Sequence, residues 1–201
     1  MKEEAARELF DSRFLPAFKL HYPSMADTEF FVDPDSMEID GGGSPGLVLL
    51  TKGACEQADY LVKFAIAHET AHGVVFLECE KQGVNCPNPE GITRKKHEAW
   101  ADLIATKVLI TQLPEFWALV AANLDLLVSV LGIDTGSHPS GKVRVKLIRE
   151  YASAYDQASV PVSKGFLRTI FCCGSSKPNN PVQRREKAFN ACFAKIYTTT
   201  L

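Results

Sequence analysis

The chain has 201 residues, of which 46% are hydrophobic, and its 22 Lys and Arg residues nearly balance its 24 Asp and Glu residues. A chain of this length and composition can bury one sizeable core, so we expect a single soluble domain over residues 1–201. The near balance of charge supplies no large electrostatic field for nucleic acid or anionic lipid. We therefore expect no nucleic-acid partner, and any function must come from local chemistry.

The first segment, "MKEEAARELFDSRF", predicts an amphipathic helix that ends near Phe14, before Pro16. It lacks the apolar stretch of a secretory signal. The cysteines form no CxxC pair and show no framework spacing, which favours reduced thiols and a cytoplasmic location. They are Cys55, Cys79, Cys86, Cys172, Cys173 and Cys192.

Short β-prone runs lie between Glu29 and Thr51: "EFFV", "SMEI" and "GLVLL", separated by "DPD" and "DGGGSPG". Runs of strand length divided by such turn residues predict a small antiparallel sheet. We interpret the glycines 41–43 as a hairpin tip rather than a phosphate loop, because no Lys-Ser/Thr pair follows them on a helix.

Apolar residues at helical spacing dominate the rest of the chain. A helix from Cys55 to Leu77 carries two histidines on its apolar stripe, and a second helix, from Arg94 to Gln112, must end before Pro114. The apolar segment from Phe116 to Leu131 is shorter than the ~20 residues of a membrane span, so we expect a buried helix and no stable membrane insertion. The remaining predicted helices cover residues 142–157 and 182–196. Together with the sheet before the histidine helix, these elements predict a mainly helical α+β fold.

The segment "HETAHG", residues 68–73, carries the first chemical signal. On a helix, residues i and i+4 share a face, so the imidazoles of His68 and His72 can bind one zinc ion. Glu69 then projects beside the metal, where a general base must lie to take a proton from the attacking water. A bare HExxH match also arises by chance, so a third ligand is needed to support the site.

The segment "HEAWAD", residues 97–102, offers that ligand on the next predicted helix. Glu98 can donate a carboxylate oxygen to the metal, and Asp102, one turn later, can accept the spare ring N–H of a liganding histidine. His97 competes as a ligand, but it projects about 100° away from Glu98 on the same helix. We favour Glu98 because Asp102 lies on the same face.

These two motifs together resemble the gluzincin class of zinc metallopeptidases, in which HExxH is completed by a glutamate of an ExxxD motif. The "EAWAD" form resembles the HtpX and CAAX-prenyl-protease-like peptidases in particular, here in a soluble and minimal form. The resemblance covers about residues 45–150, which we treat as the motif core, and leaves residues 160–201 as a helical extension. It implies a zincin-like fold, a Zn²⁺ cofactor and a protein or peptide substrate.

A third motif, "HPSGKVR" at residues 138–144, matches the HPxxxxR pattern that those peptidases carry after the ExxxD helix. By this resemblance, His138 lies near the zinc as a hydrogen-bond donor to the transition state or as an inhibitory fourth ligand. Arg144 orders the site from a following helix. The class also implies an extended substrate that pairs with a strand such as 46–50.

The function expected from the sequence is zinc-dependent endopeptidase activity with Glu69 as the general base. One alternative is a silent or latent zinc module of the same fold, in which His138 or a cysteine closes the fourth coordination position. A second alternative is an all-α interaction protein in which the histidines are core residues. This last interpretation requires several buried polar groups to find partners without a metal, which is energetically costly.

Overall fold

The structure is a computed structural model that describes residues 3–84, 92–160 and 180–198. Within these ranges it is mainly helical with one small sheet, which confirms the α+β class. The elements are α1 (Glu3–Leu9), α2 (Leu15–His21), β1 (Glu29–Asp33), β2 (Gly41–Ser44), β3 (Leu47–Thr51), α3 (Lys52–Cys55), α4 (Asp59–His72), α5 (Val75–Lys81), α6 (Ile92–Gln112), α7 (Pro114–Ala122), α8 (Leu124–Val130), α9 (Gly141–Ser159) and α10 (Pro181–Thr198). A π-helical turn, Phe10–Phe14, joins α1 to α2.

The sheet is mixed, so the prediction of an antiparallel sheet is wrong. Its strand order is β1-β3-β2, with β1 parallel and β2 antiparallel to β3. The cause lies in the segment 34–40, which crosses the end of β3 and contains the predicted strand "SMEI". Thr51 holds this crossing in place: its backbone N–H donates to the carbonyl of Asp40 and its hydroxyl to that of Glu38.

The three consecutive glycines form strand β2 itself rather than a hairpin tip. The turn to β3 lies instead at Pro45 and Gly46, and Gly46 has a φ of 86°. At Gly43, a Cβ atom would lie 1.9 Å from the carbonyl oxygen of Glu69 in α4. A residue without a side chain is therefore what allows this strand to lie directly against the helix of the HExxH motif.

Two predicted long helices are each divided in the structure. The helix predicted from Cys55 to Leu77 becomes α3, α4 and α5, and α4 ends at His72. The apolar helix predicted from Phe116 divides at Asn123 into α7 and α8. The predicted stop before Pro114 is confirmed. Among the described residues, no helix has both the length and the hydropathy that a membrane crossing requires.

The C-terminal helix α10 packs on α6 and α9 and shares their core, with Phe189 and Phe193 fully buried. The indole N–H of Trp100 in α6 donates to the backbone carbonyl of Phe193 at 3.2 Å. The predicted extension is thus, where it is described, part of the same hydrophobic core as the motif helices.

Cys79 in α5 is disulfide-bonded, so the prediction that all the cysteines are reduced thiols is wrong. Three other cysteines, Cys86, Cys172 and Cys173, lie outside the described residues. Cys55 and Cys192 are thiols.

We predict that Gly43→Ala lowers the free energy of unfolding by roughly 3 kcal/mol, because the new methyl group must push β2 away from the backbone of α4. Urea denaturation measures this change. Gly42→Ala is the matched control, since a Cβ at Gly42 meets nothing within 4 Å, and we expect a change below ~0.5 kcal/mol. Equal effects of the two substitutions would contradict the close approach at Gly43.

Candidate metal centre

Helices α4 and α6 pack side by side and bring three candidate ligands together. His68 and His72 lie on one face of α4, and Glu98 lies on the facing side of α6. The Nε2 atoms of the two histidines are 3.1 Å apart. Glu98 Oε2 is 3.2 Å from His68 Nε2, and its Oε1 is 3.5 Å from His72 Nε2. One donor atom from each side chain lies within 4.8 Å of the other two.

These separations are similar to those between the ligand atoms of one zinc ion. Ligand atoms about 2.0–2.1 Å from a tetrahedral zinc lie about 3.3–3.4 Å from one another. The two Nε2 atoms are 3.1 Å apart, and the nearest Glu98 oxygens, a different one for each histidine, lie at 3.2 and 3.5 Å. Lone pairs on both Nε2 atoms would repel each other at this distance unless a cation or a proton lay between them. Two imidazoles and one carboxylate are moreover a common protein ligand set of catalytic zinc.

Asp102 and Arg144 hold His68 in the orientation that a metal ligand needs. Asp102 Oδ1 lies 2.9 Å from His68 Nδ1. A proton on Nδ1 therefore faces the carboxylate, and Nε2 is left with a lone pair toward the cluster. Arg144 from α9 binds Asp102 through two hydrogen bonds, from Nε at 2.7 Å and from an Nη at 2.8 Å. The structure thus brings both predicted supporting residues into the site.

The centre carries an excess of negative charge. Three carboxylates, those of Glu69, Glu98 and Asp102, oppose the single guanidinium of Arg144, so two negative charges remain when both imidazoles are neutral. Burial disfavours a charge on His68, but the adjacent Asp102 outweighs it and raises the pKa of His68 to about 10. Burial and the charge on His68 lower the pKa of His72 to about 3. The carboxylates of the cluster thus stabilise a cation that lies between them. A divalent ion would neutralise the two negative charges that remain when both imidazoles are neutral.

Glu69 lies beside these ligands and is partly exposed to a cleft of about 610 Å³. A Cβ at Gly41 would lie 3.1 Å from its Oε1. The absence of a side chain there leaves room for the carboxylate next to the strand. Burial, and to a lesser extent the charge on Glu98, raise the pKa of Glu69 to about 6, against the opposing effect of His68.

His138 lies at the mouth of the same cleft, in the loop that precedes α9. Its Nε2 is 3.4 Å from Glu98 Oε1, and its side chain is 43% exposed. Ser137, which the sequence did not single out, is 2.8 Å from the other ring nitrogen of His138. A serine next to a histidine has no distinguishing sequence signal, because only the fold of the loop brings the two side chains together.

Two further expectations can be compared with the structure. His97 packs between Phe76 and Trp100, with ring centroids 5.2 and 5.7 Å away, and is not in the ligand cluster. The choice of Glu98 over His97 therefore agrees with the geometry.

The segment 46–50 is not an edge strand, because β3 pairs on both sides. The edge strand that lines the cleft is β2.

The chain matches no protein-family model, no curated protein and no solved structure. The resemblance to gluzincin peptidases therefore stays a prediction that rests on the three motifs.

We predict that Arg144→Met lowers the free energy of unfolding by about 3–5 kcal/mol in chelator-treated protein, because Asp102 is left buried without its counter-charge. Arg149→Met is the matched control on the same helix. Arg149 pairs with Asp125 at 2.7 Å, but their side chains are 50% and 88% exposed, so we expect a loss of at most about 1 kcal/mol. Urea denaturation of both variants measures the difference, and similar losses would contradict the buried role of Arg144.

Proposed function

We propose that the protein is a zinc-dependent peptide-bond hydrolase, an endopeptidase of the gluzincin type. The observation that carries this proposal is the convergence of His68, His72 and Glu98 at one point, with Glu69 beside them and facing an open cleft. The residues and distances fit a zinc ion, and the excess negative charge favours a divalent cation. Zinc bound there would acidify a water molecule and polarise the scissile carbonyl.

Four side chains of the protein would assist the reaction at the metal. Glu69 would accept a proton from the attacking water and return it to the leaving amine, which requires a carboxylate next to the metal but not bound to it. His138, at the cleft mouth, would donate a hydrogen bond to the oxyanion that develops on the carbonyl. Asp102 and Arg144 would keep His68 fixed through the cycle, which preserves the geometry of the ligands.

The substrate would be a protein or peptide bound in extended form along β2. This strand lies at the sheet edge, and no described strand pairs with its outer side. Extended peptides commonly bind by adding a strand to such an edge. The glycines of β2 also present no side chains that would hold a substrate backbone away from Glu69. Apolar side chains that line the cleft, namely Ile39, Leu61, Phe64, Phe76 and Leu131, would contact the side chains of the substrate.

A second candidate is a latent or silent zinc module, and the position of His138 favours it. The 3.4 Å separation between His138 Nε2 and Glu98 Oε1 is also the separation expected between two ligands of one zinc ion. If His138 occupied the fourth position, it would displace the water that hydrolysis needs. The protein would then bind zinc and peptides without cleaving them.

We predict that Glu69→Gln retains zinc but slows peptide cleavage by about 10²–10⁴-fold, because the substitution removes the base and no ligand. Glu98→Gln, the same change on the facing helix, should lose zinc as well as activity. Zinc content by elemental analysis and cleavage of a peptide library by mass spectrometry measure both outcomes. Glu80→Gln, at an exposed glutamate of α5, is the control that should change neither.

Normal cleavage by Glu69→Gln would contradict the proposed base. A zinc-loaded wild-type protein that leaves a broad library uncut would favour the silent module.

We also predict that zinc raises the midpoint of thermal unfolding. At a zinc concentration about a thousandfold above Kd, binding contributes about 4 kcal/mol, or roughly 10 °C for a chain of this size. His72→Ala should abolish the shift, whereas His21→Ala should preserve it, since His21 contacts Thr111 and not the cluster. A midpoint that does not respond to chelator or zinc would contradict metal binding.

A further inference from the structure

We propose that Ser137 is a positioning residue that holds His138 in the tautomer with a protonated Nε2, and thereby prevents His138 from closing the metal site as a fourth ligand. This inference rests on the proposed function, because it concerns the same zinc site. It bears on the choice between an open hydrolytic site and a latent one.

The two ring nitrogens of His138 face different partners. Nδ1 is 2.8 Å from the hydroxyl oxygen of Ser137, and Nε2 is 3.4 Å from Oε1 of Glu98. A neutral imidazole carries one hydrogen, so one nitrogen donates and the other accepts. The two partners therefore decide together which nitrogen carries the hydrogen.

The carboxylate of Glu98 can only accept a hydrogen bond. An imidazole nitrogen with a bare lone pair beside this oxygen would be repelled, so Nε2 is the nitrogen that carries the hydrogen. Nδ1 is then the acceptor, and the Ser137 hydroxyl, which can serve as donor or acceptor, must donate to it. The separation of 2.8 Å suits such an O–H···N bond.

The loop is compatible with this direction of the bond. Thr135 Oγ1 accepts from the backbone N–H of His138 at 3.0 Å and from that of Ser137 at 3.4 Å. Its own hydrogen is then available for Ser137 Oγ, 3.4 Å away. A backbone hydrogen bond from Thr135 N–H to the His138 carbonyl, at 2.9 Å, closes the loop. The hydroxyl of Ser137 can thus receive one hydrogen bond while it donates another to His138.

The tautomer determines what His138 can do. Zinc binds an imidazole nitrogen through its lone pair, so a protonated Nε2 is not a ligand. The same N–H group can donate to negative charge that develops at the metal. Without the Ser137 hydroxyl, the lone pair on Nδ1 loses its hydrogen-bond donor. The preference for a hydrogen on Nε2 then rests on Glu98 alone and weakens, so the tautomer in which Nε2 can bind zinc becomes more populated.

The first test measures the tautomer in metal-free protein by ¹⁵N NMR of the imidazoles. In a buffer of about pH 8, the wild type should show His138 almost entirely as the neutral tautomer with Nε2 protonated. In Ser137→Ala the population should shift toward the mixture measured for the urea-unfolded chain. Ser137→Thr retains the hydroxyl and should restore the wild-type signal, and His138→Gln assigns that signal.

The second test counts the ligands of bound zinc by X-ray absorption. The wild type and Ser137→Thr should show two imidazoles, whereas Ser137→Ala should show three. Zinc affinity of Ser137→Ala should rise by about tenfold, the fold-change that corresponds to about 1.4 kcal/mol. Ser129→Ala, at an exposed serine of α8, is the control for the loss of a serine hydroxyl and should match the wild type.

An unchanged tautomer and an unchanged imidazole count in Ser137→Ala would overturn the inference. These readouts need no peptide cleavage, so they decide the role of Ser137 even if the wild type hydrolyses nothing. If the wild type does cleave peptides, Ser137→Ala should lower kcat while KM stays near the wild-type value.

Discussion

The buried contact between Asp102 and Arg144 is the interaction on which the candidate metal centre depends. Asp102 is fully buried and Arg144 is 4% exposed, so each charge needs a close partner, and each is the other's partner through two hydrogen bonds. The pair joins α6 to α9, and through His68 it also joins both to α4. These contacts hold the three helices at separations that bring the candidate ligands together. Asp102 is paired with Arg144 and still contacts His68.

His138 lies on less regular structure than the other residues of the candidate site. The three candidate ligands and Glu69 are on helices, which hold side chains precisely, whereas His138 lies in the loop before α9. This division would suit the proposed function, in which a metal stays fixed while a substrate enters beside it. It also explains why the open and latent alternatives differ only in the behaviour of the loop.

The clustering of His68, His72 and Glu98 was predictable in part from the sequence. Helical spacing places the two histidines on one face of their helix, and the paired carboxylates Glu98 and Asp102 marked the face of the next helix. The preference for Glu98 over His97 followed from the alignment of Asp102 one turn later. The end of α6 before Pro114 followed from the missing N–H of proline. Each of these inferences uses only a few neighbouring residues and a known helix geometry.

The sheet and the loop could not be predicted in the same way. Glycine is disfavoured in strands because it has no side chain to pack, so a triple-glycine strand contradicts local propensity and depends on its pairing with β3 and its contact with α4. The parallel pairing of β1 depends on how the segment 34–40 crosses β3, and the role of Ser137 depends on the path of the loop. The disulfide at Cys79 had no spacing signal.

The glycine strand also has a consequence for how the chain finds its fold. Strand register is normally specified by which side chains face the core, and the glycines of β2 supply no such information. A slip of one residue toward the C-terminus would place Ser44 against the backbone of Glu69, where a Cβ does not fit. The register of this strand therefore depends on its contact with α4 as well as on the short turn at Pro45 and Gly46, so a change on the surface of the helix would also affect the edge of the sheet.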